Sequence, residues 1–198
     1  MASQIKVNEI IKQSGSSIAI GESGDALTFT GTPSFGTAIP VGSGGTGSTT
    51  LVGAGLTNKP YFKARLTATQ NGVGTNNTKV AFNERVIDPD NLFDTTNHRF
   101  LPTTAGTYFF NTSQRLYSST ASTNFTCYLF KNGSVHSRMV ETRDSAITYS
   151  AFTCSTMAEA NGSSDYFEIY VNISNNNADI TADPSDESWG FFEGFRLI

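Results

Sequence analysis

Asp165-Tyr-Phe-Glu-Ile-Tyr-Val-Asn-Ile-Ser174 decides the fold class. Phe167, Ile169, Val171 and Ile173 fall on one side of an extended chain, and Tyr166, Glu168, Tyr170 and Asn172 on the other. Alternation with a period of two describes a β-strand with one face buried and one face wet. Asn124 to Phe130 alternates in the same way, with Phe125, Cys127 and Leu129 on one side, and runs into Lys131-Asn132-Gly133, a tight-turn signal.

Working outward, Leu66 to Thr69, Lys79 to Phe82, Thr107 to Asn111, Ile147 to Thr156 and Phe191 to Ile198 read as further strands. Between them stand Asn71-Gly72, Asp88-Pro89-Asp90, Ala105-Gly106, Asn161-Gly162 and Asp183-Pro184, each a pair or triplet suited to a turn. Short strands at regular spacing predict a sandwich or jelly roll. Composition agrees. Of 198 residues only 15% are charged, Phe alone contributes 15, and Thr, Asn, Ser and Gly fill much of the remainder. Thr and aromatic residues suit pleated sheets, and the others suit turns.

Residues 1–58 differ from 59–198. Ser17-Ile18-Ala19-Ile20 and Ala26-Leu27-Thr28-Phe29 read as two short strands among Gly15, Gly21, Gly24 and Gly31, with Ile5 to Ile11 open to either a strand or one helical turn. Two such strands cannot bury both their faces, so the segment needs copies of itself or a partner surface. Val41-Gly-Ser-Gly-Gly-Thr-Gly-Ser-Thr-Thr50 reads as a linker, because no Lys stands in the phosphate-loop position. The expected division is an N-terminal anchor or stalk at 1–58 and a β head at 59–198.

A net charge of −4 with no Lys/Arg run argues against nucleic acid and against an anionic membrane surface as partners. No stretch has the length of a membrane span, and the first residues carry no apolar signal core, so neither membrane insertion nor classical secretion is expected. Release of an assembled particle from the cytoplasm remains as a route to the outside.

From Phe62 onward the order of landmarks resembles the C1q-like domain family, of the complement C1q and tumour-necrosis-factor type. Phe62-Lys-Ala-Arg-Leu-Thr67 is similar to that family's opening strand, Thr78-Lys-Val-Ala-Phe-Asn-Glu84 follows, and then come Asp88, Asn91, Phe93, Asp94, Arg99-Phe100, Pro102 and Gly106-Thr-Tyr-Phe-Phe110. Leu129-Phe-Lys-Asn-Gly133 and Phe192-Glu-Gly-Phe-Arg-Leu197 match later blocks. Two departures stand out: the usual Gly-Asp pair is split in Asn161-Gly-Ser-Ser-Asp165, and no Gly-X-Y stalk lies upstream. The resemblance implies an all-β, ten-stranded jelly roll that assembles as a homotrimer, with Phe62, Phe110 and Phe192 as candidates for the trimer interface. The N-terminal pattern, S-x-I-K-V-x-x-I followed by Gly-punctuated strands and a Gly-rich linker, resembles small fibre or appendage proteins of tailed bacteriophages, including cyanophages. It implies docking to other virion proteins through residues 1–58.

Candidate sites are few. Asp88, Asp90 and Asp94 admit three readings: a plain turn, a set of calcium ligands, or paired carboxylates for glycoside hydrolysis. Asn172, Asn175, Asn176 and Asn177 read either as a polar hairpin tip or as a glycan contact. Trp189 reads either as a sugar-stacking platform or as a lid on the core. Cys127 and Cys154 fit buried apolar residues or a disulfide, and with only His98 and His136 there is no zinc spacing and no nucleophile context. No catalytic residue and no resident cofactor other than possible calcium is expected. The resulting expectation is a virion structural protein: a trimeric tail fibre that binds a host-surface glycan or outer-membrane protein. Two alternatives stand beside it, a capsid decoration protein and an extracellular C1q-like lectin or ligand of a cellular organism. A fibre enzyme that degrades polysaccharide is a further class.

Overall fold

A computed structural model describes residues 59–174, 178–183 and 189–197, with the side chains of 121–123 and 144–147 left aside. The expected anchor at 1–58, with its two short strands and Gly-rich linker, lies outside the described residues. All regular structure described is β, in eleven strands: β1 (Tyr61–Arg65), β2 (Gln70–Val73), β3 (Thr78–Lys79), β4 (Glu84–Ile87), β5 (Phe93–Asp94), β6 (Arg99–Phe100), β7 (Gly106–Lys131), β8 (Ser134–Ala160), β9 (Phe167–Ile173), β10 (Ala178–Ile180) and β11 (Phe191–Arg196).

The strands Thr107–Asn111 and Asn124–Phe130, expected as separate elements, are parts of one 26-residue strand, β7. No Gly or Pro stands between Thr107 and Asn132 to end it. β7 and β8 form a long antiparallel hairpin whose register shifts between Tyr117 and Ser122 and again before Asn124. Its first half pairs with β11, and β10 joins at Leu116 to Ser118. Its second half pairs with β9. The hairpin therefore runs through both layers of a jelly roll. One layer follows β4–β1–β11–β7, and the other runs from β7 through β9 to β6 and β5. At the hairpin tip Asn132 and Gly133 both take positive φ, 53° and 75°, as a two-residue turn between right-twisted strands requires.

The period of two in β9 survives folding: Phe167, Ile169, Val171 and Ile173 are buried. The core between the layers is largely aromatic. Phe62 stacks on Phe100 at 4.1 Å and meets the edge of Phe192 at 4.9 Å, while Phe110 lies 4.6 Å from Phe167. Each fully buried Phe stabilises the fold by roughly 1.5–3 kcal/mol. Gly194 sits where this packing is tightest. A Cβ there would come within 2.8 Å of both the Phe109 carbonyl oxygen and the Phe110 ring, which explains the glycine in Phe192-Glu-Gly-Phe195.

Two strands differ from the sequence expectation. The first begins at Tyr61 and ends at Arg65, so Leu66 to Thr69 lie just beyond it. Of Lys79 to Phe82 only Lys79 is in a strand. Beyond it the Gln70 side chain takes the place of a neighbouring strand: its amide donates to Lys79 O at 2.8 Å and accepts from Ala81 N at 2.8 Å. Backbone groups there are satisfied without a ladder, which hydropathy patterning does not register.

Candidate functional site

Alternation places every second side chain of the first layer on its outer face. In β1 these are Tyr61, Lys63 and Arg65, in β11 Phe191, Glu193 and Phe195, and in β7 Phe109, Asn111, Ser113, Arg115 and Tyr117. Cross-strand register then lines them up. Tyr61 faces Phe195, Phe195 faces Phe109, and Phe109 faces Met157. Four apolar side chains from four strands thus form one outward row. Tyr61 is 40%, Phe195 38% and Met157 59% exposed, and the Phe109 and Phe195 rings lie 5.4 Å apart. Ile87 of β4, 47% exposed, adds to the row beside Lys63. A groove of about 300 Å³ opens here, lined by Tyr61, Lys63, Ile87, Phe109, Glu193 and Phe195. The next row is polar: Lys63 pairs with Glu193 and Glu193 with Asn111, whose amide donates to the Glu193 carboxylate at 2.9 Å.

Farther along β7 the same face changes character. The Arg115 guanidinium lies 3.7 Å from the Trp189 ring centre and 4.3 Å from that of Tyr149. Tyr149 is the register partner of Tyr117, and the two rings meet edge to face at 6.4 Å. Both tyrosines are exposed.

The residues singled out from sequence fall elsewhere. Phe62, Phe110 and Phe192 are 3%, 0% and 0% exposed within a single chain, so they have no surface to offer a neighbour. Their assignment to a trimer interface is corrected to the core of the single chain. The error is one of parity, because in a strand the residue next to a buried one points the opposite way. Phe109 and Phe195 are the outward neighbours of Phe110 and Gly194.

Asp88, Asp90 and Asp94 do not converge, and no group of His, Cys, Asp or Glu among the described residues is arranged to hold a metal. Asp88 accepts from Leu92 N at 3.0 Å and Phe93 N at 2.9 Å. Asp90 pairs with Lys59 at 3.5 Å. Asp94 accepts from Thr96 N, Asn97 N and the Asn97 side chain, at 2.9, 3.0 and 2.7 Å. The Asn97 hydrogen bonds hold the Asp94 carboxyl below its usual range. Of the readings these residues admitted, the turn accounts for Asp88 and Asp94, whose oxygens accept from nearby backbone amides, while Asp90 faces Lys59.

Asn172 is likewise not on an open loop. It sits in β9, and its side chain donates to Thr75 O at 2.6 Å, tying β9 to the β2–β3 connection. Asn175, Asn176 and Asn177 lie outside the described residues. Trp189 is half-buried beneath Arg115, neither a bare platform nor a core residue. Of the two histidines, His98 is engaged with the Phe82 carbonyl at 2.8 Å. Arg115, Tyr117 and Tyr149 were missed from sequence. Extending the alternation of Thr107–Asn111 by three further pairs would have placed Arg115 and Tyr117 on the outer face.

No family model matches the chain. Among curated proteins it is 28% identical over 103 residues to the phage-like element PBSX protein XkdV of Bacillus subtilis (strain 168). That match takes in 49% of this chain and 15% of the relative, so the chain spans a small part of the length of that protein. Among solved structures, it is similar to the globular domain of zebrafish complement 1qA, with 13% identity and a TM-score of 0.48 over 71% of this chain and 98% of that one. Murine APRIL at pH 8.5 gives 11% identity and a TM-score of 0.46 over 70% and 100%, respectively. The Eiger TNF from S. frugiperda gives 10% and 0.42 over 70% and 90%. The described residues form an all-β jelly roll, and 49% of the chain is similar to part of a phage-like element protein.

Proposed function

We propose that this protein is a structural protein of a phage particle, a trimeric tail fibre whose jelly-roll heads face the host surface. The observation that carries this reading is the similarity to the phage-like element protein. Residues 1–58 would dock to other virion proteins, and the head would contact a glycan or protein receptor on the host.

Trimer formation draws its support from the outer row Tyr61, Phe195, Phe109 and Met157. Contiguous exposed apolar side chains, bordered by the polar row of Lys63, Glu193 and Asn111, mark an interaction surface. Copies of the same chain supply a matching surface at equal concentration. The role is one of assembly and adhesion, with no catalytic step. No helix among the described residues is long and apolar enough to cross a membrane.

Imaging purified particles with an antibody against the head tests the reading. Label at the tail supports a receptor-binding fibre. Label spread over the capsid replaces that role with capsid decoration. Absence of label from every particle refutes the virion reading and leaves an extracellular lectin or ligand as the next reading to test.

A further inference from the structure

The Arg115 guanidinium is stacked against two aromatic rings, Trp189 at 3.7 Å and Tyr149 at 4.3 Å. Stacking of this kind uses the flat faces of the group. Its N–H donors lie in the plane, radiate from the rim and stay available. Among the described residues no carboxylate stands within ion-pair distance of Arg115, and no hydrogen bond takes up its side chain. Asp179, which faces Tyr117 in the register of β10, accepts instead from Gly72 N at 3.3 Å. A cation fixed in orientation, with no described carboxylate to neutralise it, is thus held on the surface of a chain whose net charge is −4.

The rings around it are also only partly used. Tyr117 is 45% and Tyr149 49% exposed, and their rings are inclined at 61° rather than closing over each other. An exposed aromatic face beside a planar fork of donors has a definite chemical complement. A pyranose ring lays its C–H face on an aromatic ring, and a carboxylate accepts two parallel hydrogen bonds from a guanidinium. Because Arg115 is already ordered by stacking, binding loses little side-chain entropy.

We propose that Arg115, Tyr117, Tyr149 and Trp189 form a binding site for a carboxylated sugar, such as the uronic or nonulosonic acid units of an acidic surface polysaccharide. The inference rests on the adhesin reading above and names the receptor chemistry for it. The guanidinium edge receives the carboxylate, the tyrosine faces receive the ring, and Trp189 holds the guanidinium in place. A neutral sugar leaves the fork without a partner and binds more weakly.

The only tryptophan of the chain is part of the site, so its fluorescence reports occupancy directly. The experiment titrates the full-length protein with trigalacturonic acid, 3′-sialyllactose, a neutral galactose trimer and glycerol 3-phosphate. At least one carboxylated sugar is expected to change the Trp189 emission saturably, with the neutral trimer and the phosphate at least about tenfold weaker. Arg115→Lys keeps the charge but loses the planar fork, and it is expected to weaken the carboxylated sugar about tenfold while leaving the thermal midpoint close to that of the parent. Tyr149→Ala is expected to weaken it as well.

Three outcomes overturn the proposal: neither acidic sugar binds, Arg115→Lys binds as tightly as the parent, or glycerol 3-phosphate binds equally well. A change of oligomeric state in Arg115→Gln also overturns it, by showing that the patch is a contact between subunits. None of these results alters where the protein sits on the particle. Failure of the sugar site is therefore distinguishable from failure of the adhesin reading.

Discussion

Cys127 and Cys154 are free thiols buried in the same core, near enough for Cys154 to act on the Cys127 thiol, although the two residues are not cross-strand partners. Cys127 pairs with Val140 and Val171, in the second layer, and Cys154 with Thr112, in the first. The pair therefore spans the sandwich. Burial pushes the Cys127 thiol well up, and the neighbouring thiol adds to this.

A thiol kept protonated and away from solvent is a poor nucleophile. Native protein at pH 8 is expected to react negligibly with a charged thiol reagent over minutes, and both cysteines are expected to react after denaturation in guanidinium. Rapid reaction of the folded protein, or a mass two hydrogens lower than that of the dithiol, would contradict the arrangement.

Glu168 is 3% exposed although it belongs to the outward set of β9, and Lys79 from β3 covers it at 2.5 Å. Burial alone would lower the Lys79 ammonium, but the hydrogen bond and charge of Glu168 outweigh it and hold the group above the ordinary lysine value. Lys79→Ala leaves a buried carboxylate without its partner and is expected to cost about 3 kcal/mol in denaturant unfolding. Since the folded value is the higher one, this contribution is fully present below pH 10.5 and is lost as pH rises through the folded value. Tyr108 acts in the same direction. Burial pushes its phenol up to about 12, and the hydroxyl donates to Thr104 O at 2.7 Å. Stability measured from pH 9 to 12 should fall steeply, and less steeply in Lys79→Ala. Equal slopes would remove the pair from the account.

Asp165 closes the β7–β8 tip. Its carboxylate accepts from Asn132 Nδ2 and Asn161 N, each at 2.8 Å, and pairs with Lys131 at 2.9 Å. Burial by itself would raise its pKa, but the hydrogen bonds from Asn132 and Lys131 outweigh it and hold it below the usual carboxylate value. A depressed folded value means that the stabilisation is present above pH 3.8 and is lost as pH falls through the folded value. Asp165→Ala is expected to cost roughly 2–3 kcal/mol at pH 7, with the difference from the parent shrinking toward pH 2. A difference that stays constant with pH would point to packing instead.

Phe195→Lys combined with Met157→Lys places two cations in the outer apolar row without touching the core. The double variant is expected to keep the circular dichroism of the parent while its mass in solution falls to that of one chain. A parent that is itself a monomer, or a double variant that stays assembled, would show that this face is not the subunit contact.

Much of the architecture was legible because alternation is a local property. Phe167, Ile169, Val171 and Ile173 had to share a face wherever the strand was placed, and Asn132-Gly133 suited a two-residue turn on backbone grounds alone. The hairpin of β7 and β8 was less legible. Its bend uses shifts of register rather than Gly or Pro, and register is set by the partner strand.

The surface shows the same division. Sequence alone determined that Phe109 and Phe110, or Phe195 and its neighbours, must point to opposite sides. Which side is core was decided when β6 and β9 packed against β1, β7 and β11, so that Phe100 and Phe167 took one set. Likewise Asp88, Asp94 and Asn172 carry chemistry that suits a ligand, but folding brought backbone amides and carbonyls to them first. Arg115, Tyr149 and Trp189 lie far apart in the chain and became one patch only when β7, β8 and the approach to β11 came together. Local sequence fixes the direction in which a side chain points, but what it meets depends on contacts that only tertiary packing creates.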